Sequence, residues 1–256
     1  MHFVKKQLPL LLSLLLLSLF FSPLKANAAT NENNHITYVA LGDSLAAGVT
    51  PTNSLGLGYP HYLTGILQQA NYTVTPGFFG IPGYTSSDVL NDLTVPTRPL
   101  YYPLQNAIKQ ADIVTIDIGA NDILKKLTTG QQVKNTDIQK TVSNLTAILV
   151  DIKKKNPSAK VYVMGYYNPF PHANSLYAPY VPTLVSVLNK YNLMAEGISK
   201  LLNATFVPTA SIIQSNYVVY LTNPNNIHLS PAGYQAVAAE FFKAIQSNKT
   251  GQVSIK

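Results

Sequence analysis

The sequence predicts an α/β fold in which a parallel sheet is covered on both faces by helices. Three observations carry that expectation. Five short apolar runs rich in β-branched residues are spread along the chain, segments with three-and-four apolar periodicity lie between and after the later ones, and the runs end in small or turn-forming residues. Alternation of this kind is how strand–helix–strand units build a parallel sheet. No linker, internal repeat or second hydrophobic core interrupts the pattern, so residues 29–256 read as one domain.

The first 28 residues stand apart. Lys5 and Lys6 make a basic start, Leu8 to Phe21 an apolar stretch, and Ala26-Asn27-Ala28 an Ala-x-Ala cleavage signal. This is the pattern of a signal peptide, and its apolar stretch is too short to span a bilayer comfortably. The mature protein, from residue 29, is therefore expected to be secreted and extracellular. With no cysteine anywhere, disulfides, lipid attachment through a thiol, a cysteine nucleophile and thiolate metal sites are all excluded.

The strand candidates are 36–41, 73–79, 112–118, 159–165 and 204–208. The first, Ile-Thr-Tyr-Val-Ala-Leu, is broken only by Thr37 and reads as a buried strand. Helices are expected over 136–155, 181–202 and 231–246. In the last, Ser230 suits the N-cap and Pro231 the first helical position, while Tyr234, Val237, Ala238, Phe241, Phe242 and Ile245 mark a core face. Two stretches read as long and irregular, 91–104 and 166–180, the second rich in Pro and Tyr. The tail from Ser247 onward is polar and reads as frayed.

Loss of residues 1–28 removes three lysines and no acid, lowering the formal charge from +7 to +4. That surplus is compatible with peripheral contact with the cell envelope and equally with an ordinary lysine-bearing surface. Arg98 is the sole arginine, which argues against nucleic-acid or phosphate recognition by guanidinium forks. Acids are too sparse to suggest a glycosidase carboxylate pair.

A serine hydrolase needs a nucleophile, a base in contact with it, and donors aimed at the developing oxyanion. Each need is met at the end of a different strand. Ser44 follows the first in Gly42-Asp43-Ser44-Leu45, Gly83 the second in Gly80-Ile81-Pro82-Gly83-Tyr84, Asn121 the third in Gly119-Ala120-Asn121-Asp122, and His228 the fifth in Asn225-Asn226-Ile227-His228. A serine on such a turn stands at the carboxyl edge of the sheet, where open α/β proteins bind ligands. The carboxamide of Asn121 can stabilise an oxyanion without attracting anions to the resting site. Any one segment alone is an ordinary turn.

Taken in order, the four resemble the blocks of the GDSL, or SGNH, family of esterases and lipases, named for Ser, Gly, Asn and His, over essentially the whole chain after residue 28. The resemblance implies a flavodoxin-like three-layer α/β/α fold with a five-stranded, mostly parallel sheet. It also implies hydrolysis of carboxylic esters through an acyl-serine intermediate. The oxyanion donors would be the Ser44 and Gly83 backbone N–H groups and the Asn121 side chain. Neither metal nor cofactor is required, and no obligate protein partner is evident. Short acyl esters and lysophospholipids are the implied substrates. A carbohydrate O-deacetylase of cell-envelope polysaccharide, and a binding protein on a weakened scaffold, remain alternatives.

One position departs from the family pattern. An aspartate usually lies three residues before the histidine, and here that residue is Asn225. An aspartate fixes the histidine tautomer and stabilises the imidazolium; in a chymotrypsin-type triad its replacement by Asn costs about ten-thousand-fold in turnover. Three arrangements stay open: Asn225 orients His228 through its amide oxygen, a backbone carbonyl does so and leaves a Ser–His dyad, or the site is weakened. Asp43 and Asp122 are expected to cap or brace turns, and Asp117 to serve as a buried partner of a turn amide. His61 reads as a packing residue, His35 as part of the amino-terminal lead, and His172 lacks companions at metal-ligand spacing. Tyr166, Tyr167, Tyr177 and Tyr180 either line a substrate groove or bury one another.

Overall fold

A computed structural model describes residues 34–253; the expected signal peptide lies outside the described residues. Five strands form one sheet: β1 (His35–Gly42), β2 (Thr73–Gly80), β3 (Ile113–Asp117), β4 (Lys160–Met164) and β5 (Thr205–Val207). Their order is β2-β1-β3-β4-β5, and all four pairings are parallel. This is the flavodoxin-like order, in which the chain reverses direction of travel between β1 and β3 and opens a crevice at the carboxyl edge. The register sets Gly42 beside both Gly80 and Asp117, so the turns leaving β1, β2 and β3 start from one line. Burial explains the strand composition: β1 and β3 are central and covered on both faces, whereas β2 is a half-exposed edge strand that tolerates Pro76.

Ten α-helices fall among the described residues: α1 (Ser44–Ala47), α2 (Tyr59–Gln69), α3 (Ser86–Thr94), α4 (Tyr101–Gln110), α5 (Ala120–Thr128), α6 (Asn135–Lys155), α7 (Val181–Leu201), α8 (Ala210–Ser215), α9 (Tyr217–Tyr220) and α10 (Pro231–Val253). Helices α2 and α10 pack together on one side of the sheet, and α3, α4, α6 and α7 pack side by side on the other. The core runs through both layers, from Leu41, Val114, Ile116 and Val163 in the sheet to Leu63, Ile148, Leu188 and Phe241 in the helices. Tyr59 of α2 stacks on Phe241 of α10 at 4.8 Å between ring centres.

Two expectations are corrected. The stretch 91–104 is mostly helical, with only 95–100 between α3 and α4. A reciprocal cap starts α3, Thr85 and Asp88 each bonding the other's backbone N–H. Pro96 and Pro99 are confined to the turn, and Pro103 falls in the first turn of α4, where no N–H is missed. The tail from Ser247 continues α10 to Val253: Asn248 donates to Thr205 Oγ1 (2.8 Å) and to the Tyr162 hydroxyl (3.3 Å), which ties that end to the sheet. The 166–180 stretch is irregular as expected, apart from a 3₁₀ turn at Ala178–Tyr180.

Candidate active site

The turn from β1 into α1 is built to hold one side chain. Asp43 caps α1, its Oδ1 accepting from the Leu45 N–H at 3.0 Å. From beneath, Asp117 at the end of β3 accepts from the Ala46 N–H (3.2 Å) and the Asp43 N–H (3.4 Å), and the Tyr59 hydroxyl donates to its other oxygen at 2.8 Å. This requires glycine at position 42, because a Cβ there would stand 2.1 Å from Asp117 Oδ1. Ser44, the first residue of α1, is thereby fixed at the sheet edge and is 5% exposed.

Asp43 and Asp117 are a buried carboxyl pair. Burial pushes both above the usual carboxylate range, and the neighbouring Asp43 charge pushes Asp117 further. Asp43 Oδ2 also accepts from the Tyr166 hydroxyl at 3.3 Å. Asp43 and Asp117 both brace the turn, as expected.

His228 reaches the serine from the loop before α10. Its Nε2 lies 2.9 Å from Ser44 Oγ, and its Nδ1 lies 2.7 Å from Asn226 Oδ1. The same Oδ1 accepts the His228 backbone N–H at 2.9 Å. A backbone N–H can only donate, so the amide atom facing it is the oxygen; Nδ1 must then carry the proton, leaving Nε2 to accept from the serine hydroxyl. Burial holds the imidazole down to about 4.

The residue on the ring is thus Asn226, and the expectation that placed Asn225 there is corrected. A turn closed by the Asn226 N–H on the Asn223 carbonyl (3.1 Å), with Pro224 at its second position, aims Asn225 away. Asn225 Oδ1 instead accepts from the Leu176 N–H at 2.7 Å. Sequence reading missed Asn226, although an asparagine two residues before another residue commonly bonds its N–H. That local turn carries the amide oxygen to the ring nitrogen.

The remaining expected residues sit on the two neighbouring turns. Gly83 has φ +81°, and the Tyr84 N–H closes the turn on the Ile81 carbonyl at 3.1 Å, with Pro82 and Gly83 as its central pair. The Asn121 Nδ2 donates to the Tyr84 carbonyl (2.9 Å) and approaches Asp43 Oδ2 (3.5 Å), linking the turns after β1, β2 and β3. Asp122 accepts from Ser86 N–H (2.8 Å) and Oγ (2.6 Å), so it braces the start of α3 as well as lying in the first turn of α5. His61 accepts from the Gly58 N–H and packs on Phe78. His172 Nε2 lies 2.6 Å from the Leu221 carbonyl. Tyr167 donates to the Ile227 carbonyl at 3.0 Å, behind the histidine.

A narrow apolar pocket of about 20 Å³ opens beside Ser44, walled by Leu45, Ala120, Leu124, Tyr167, Leu188 and Ile227. A serine hydroxyl in contact with a lowered imidazole, next to an apolar pocket, is the arrangement of an activated nucleophile.

Known proteins share this fold, and a family profile matches most of the chain. The spore germination lipase LipC of Bacillus licheniformis is 25% identical over 216 residues, 79% of this chain and 93% of that one. The crystal structure of the lipase Lip_vut3 from a goat rumen metagenome superposes with a TM-score of 0.66 at 21% identity, covering 81% of this chain and 96% of that one. The acetylxylan esterase Axe2 of Geobacillus stearothermophilus gives 0.59 at 18% identity, over 80% and 92%. The profile of the GDSL-like lipase/acylhydrolase family matches residues 40–236, and with that the chain belongs to this family of ester-hydrolysing enzymes.

Proposed function

We propose that the protein is a secreted serine esterase that cleaves short acyl esters through an acyl-serine intermediate. Ser44 Oγ attacks the ester carbonyl as His228 Nε2 takes its proton, and the imidazolium then passes that proton to the departing alcohol. Water, activated by the same nitrogen, releases the acid. The backbone N–H groups of Ser44 and Gly83 and the Asn121 amide receive the oxyanion. Asn226 holds the ring in the productive tautomer in place of a carboxylate. The observation that carries this reading is the Ser44 Oγ to His228 Nε2 contact of 2.9 Å, with Nδ1 locked on an acceptor.

The narrow apolar pocket beside Ser44 supports short acyl groups. A lysophospholipid is a second candidate, its longer chain requiring the pocket walls to part. A carbohydrate O-deacetylase is favoured by one feature. A separate depression of about 430 Å³ backs onto the pocket across Tyr166 and Leu188 and is lined by the uncharged polar groups of Asn168, Asn189, Ser211 and Gln214. The leader pattern at residues 1–28 supports secretion.

Labelling with a fluorophosphonate probe and hydrolysis of a soluble aryl acetate test the mechanism together. Ser44→Ala abolishes both signals; residual hydrolysis near the wild-type rate rejects Ser44 as nucleophile. Acetylated glycans assayed against lipid esters decide the alcohol side.

A further inference from the structure

Charge is unevenly distributed along this chain. Residues 44–87, 161–189 and 201–239 contain no Asp, Glu, Lys or Arg. In the fold, parts of these three stretches meet around His228 and are tied together by neutral hydrogen bonds. Asn226 Nδ2 donates to Asn53 Oδ1 (2.8 Å), Asn223 Nδ2 to the Pro51 carbonyl (3.0 Å), and the Leu176 N–H to Asn225 Oδ1 (2.7 Å). Ser230 Oγ donates to the Val219 carbonyl at 2.7 Å.

Beside these ties stand exposed apolar side chains: Leu55 at 72%, Leu176 at 76% and Val218 at 63%, with Leu57, Tyr180 and Val219. Exposed apolar residues on the outer helices keep charged company, Val150 next to Asp151, Leu193 between Lys190 and Glu196, and Leu201 next to Lys200. Scattered ones of that kind are normal, whereas a braced cluster with no charge in it calls for a partner. The opposite side of the site differs: Lys125 Nζ bonds the Gly83 carbonyl at 3.2 Å, and Asp88 and Asp122 serve the same turns.

We infer that the collar formed by residues 51–57, 174–180 and 217–226 docks the protein onto an uncharged lipid–water interface, with the mouth of the Ser44 site facing the lipid. Aliphatic and tyrosine side chains gain by entering the headgroup boundary, and a charge carried there would have to shed its water. The collar has apolar groups to insert and no charge to desolvate. It also offers nothing to pair with an anionic headgroup or an acidic polymer, so a neutral surface is its electrostatic complement. The purpose of docking rests on the acyl-ester reading above; the docking itself does not depend on Ser44.

The test uses the Ser44→Ala protein and phosphatidylcholine vesicles in a sedimentation assay. The protein partitions onto the vesicles, with an affinity that changes less than about twofold between low and high salt, as expected when no charge is paired. Adding Leu55→Asp and Leu176→Asp weakens binding at least tenfold, and the milder Leu55→Ser and Leu176→Ser pair weakens it in the same direction. With Ser44 restored, the same pairs leave hydrolysis of a soluble aryl acetate unchanged and slow hydrolysis of emulsified tributyrin. The inference is overturned if Ser44→Ala protein ignores neutral vesicles. Binding that requires anionic lipid and collapses in salt also overturns it, as does a collar buried by self-association in analytical ultracentrifugation. Vesicle binding without any ester hydrolysis by the unmutated protein would leave the docking standing and remove the esterase reading.

Discussion

At His228 the ring nitrogen distal to Ser44 meets an amide oxygen, which fixes the tautomer and adds no charge. Burial without a compensating anion leaves the imidazole near 4, so the base is already unprotonated in mildly acidic solution. We expect kcat/KM to hold its plateau down to about pH 5 and fall with a midpoint near 4. An acid limb at neutral pH would contradict the burial argument. Asn226→Asp places a carboxylate against Nδ1, which raises the histidine and moves the limb toward neutral pH. It also raises the plateau about tenfold or more, in the direction of the aspartate effect known for triads. Asn225→Asp leaves both unchanged, because that side chain serves the Leu176 N–H. The one-residue difference between these asparagines was illegible in a family pattern counted back from the histidine. It is set by Pro224 and by a turn that only the folded loop fixes.

Among the elements, α10 connects the catalytic loop to the core. Ser230 caps its start, and Phe241 stacks on Tyr59, whose hydroxyl in turn holds Asp117 under the nucleophile turn. Phe241→Ala should cost about 3–5 kcal/mol by denaturant unfolding, the range for removing a buried aromatic ring. A loss under about 1 kcal/mol would mean that the α2–α10 contact is not part of the main core. The core face of α10 was readable because its apolar residues recur at helical spacing. The start of α3 and all of α4 were not, because Pro96, Pro99 and Pro103 crowd a region whose helices depend on a side-chain cap and on burial of Leu93, Leu104 and Ile108. Likewise, the polar end of α10 looks frayed in sequence because Asn248 finds its partners across the chain, on β4 and β5.

For the whole molecule, buried titratable groups pull stability in opposite directions with pH. The lowered His228 contributes fully above its usual 6.5, and that contribution is lost as pH falls toward about 4. The raised Asp43–Asp117 pair contributes fully below the usual 3.8 and loses its contribution as pH rises through the pair's elevated range. Asp117→Asn keeps an oxygen for the Ala46 and Asp43 N–H groups and removes the ionisation. Its melting temperature relative to the parent should therefore climb as pH rises through the pair's elevated range; a constant difference across that range would show that the pair does not ionise there. Fold class needed only alternating composition, which short-range pattern encodes, whereas the strand order β2-β1-β3-β4-β5 is set by the fold. The carboxyl pair needed the register that brings Gly42 beside Asp117, a long-range fact that no local pattern contains.

Helix α10 starts beside the reacting serine and ends against the amino-terminal edge of the sheet. From Pro231 to Asn248 it covers about 27 Å at the rise of an α-helix. Anchoring the enzyme to a resin or sensor chip through the far end of that helix would hold the catalytic mouth outward, toward the flowing liquid.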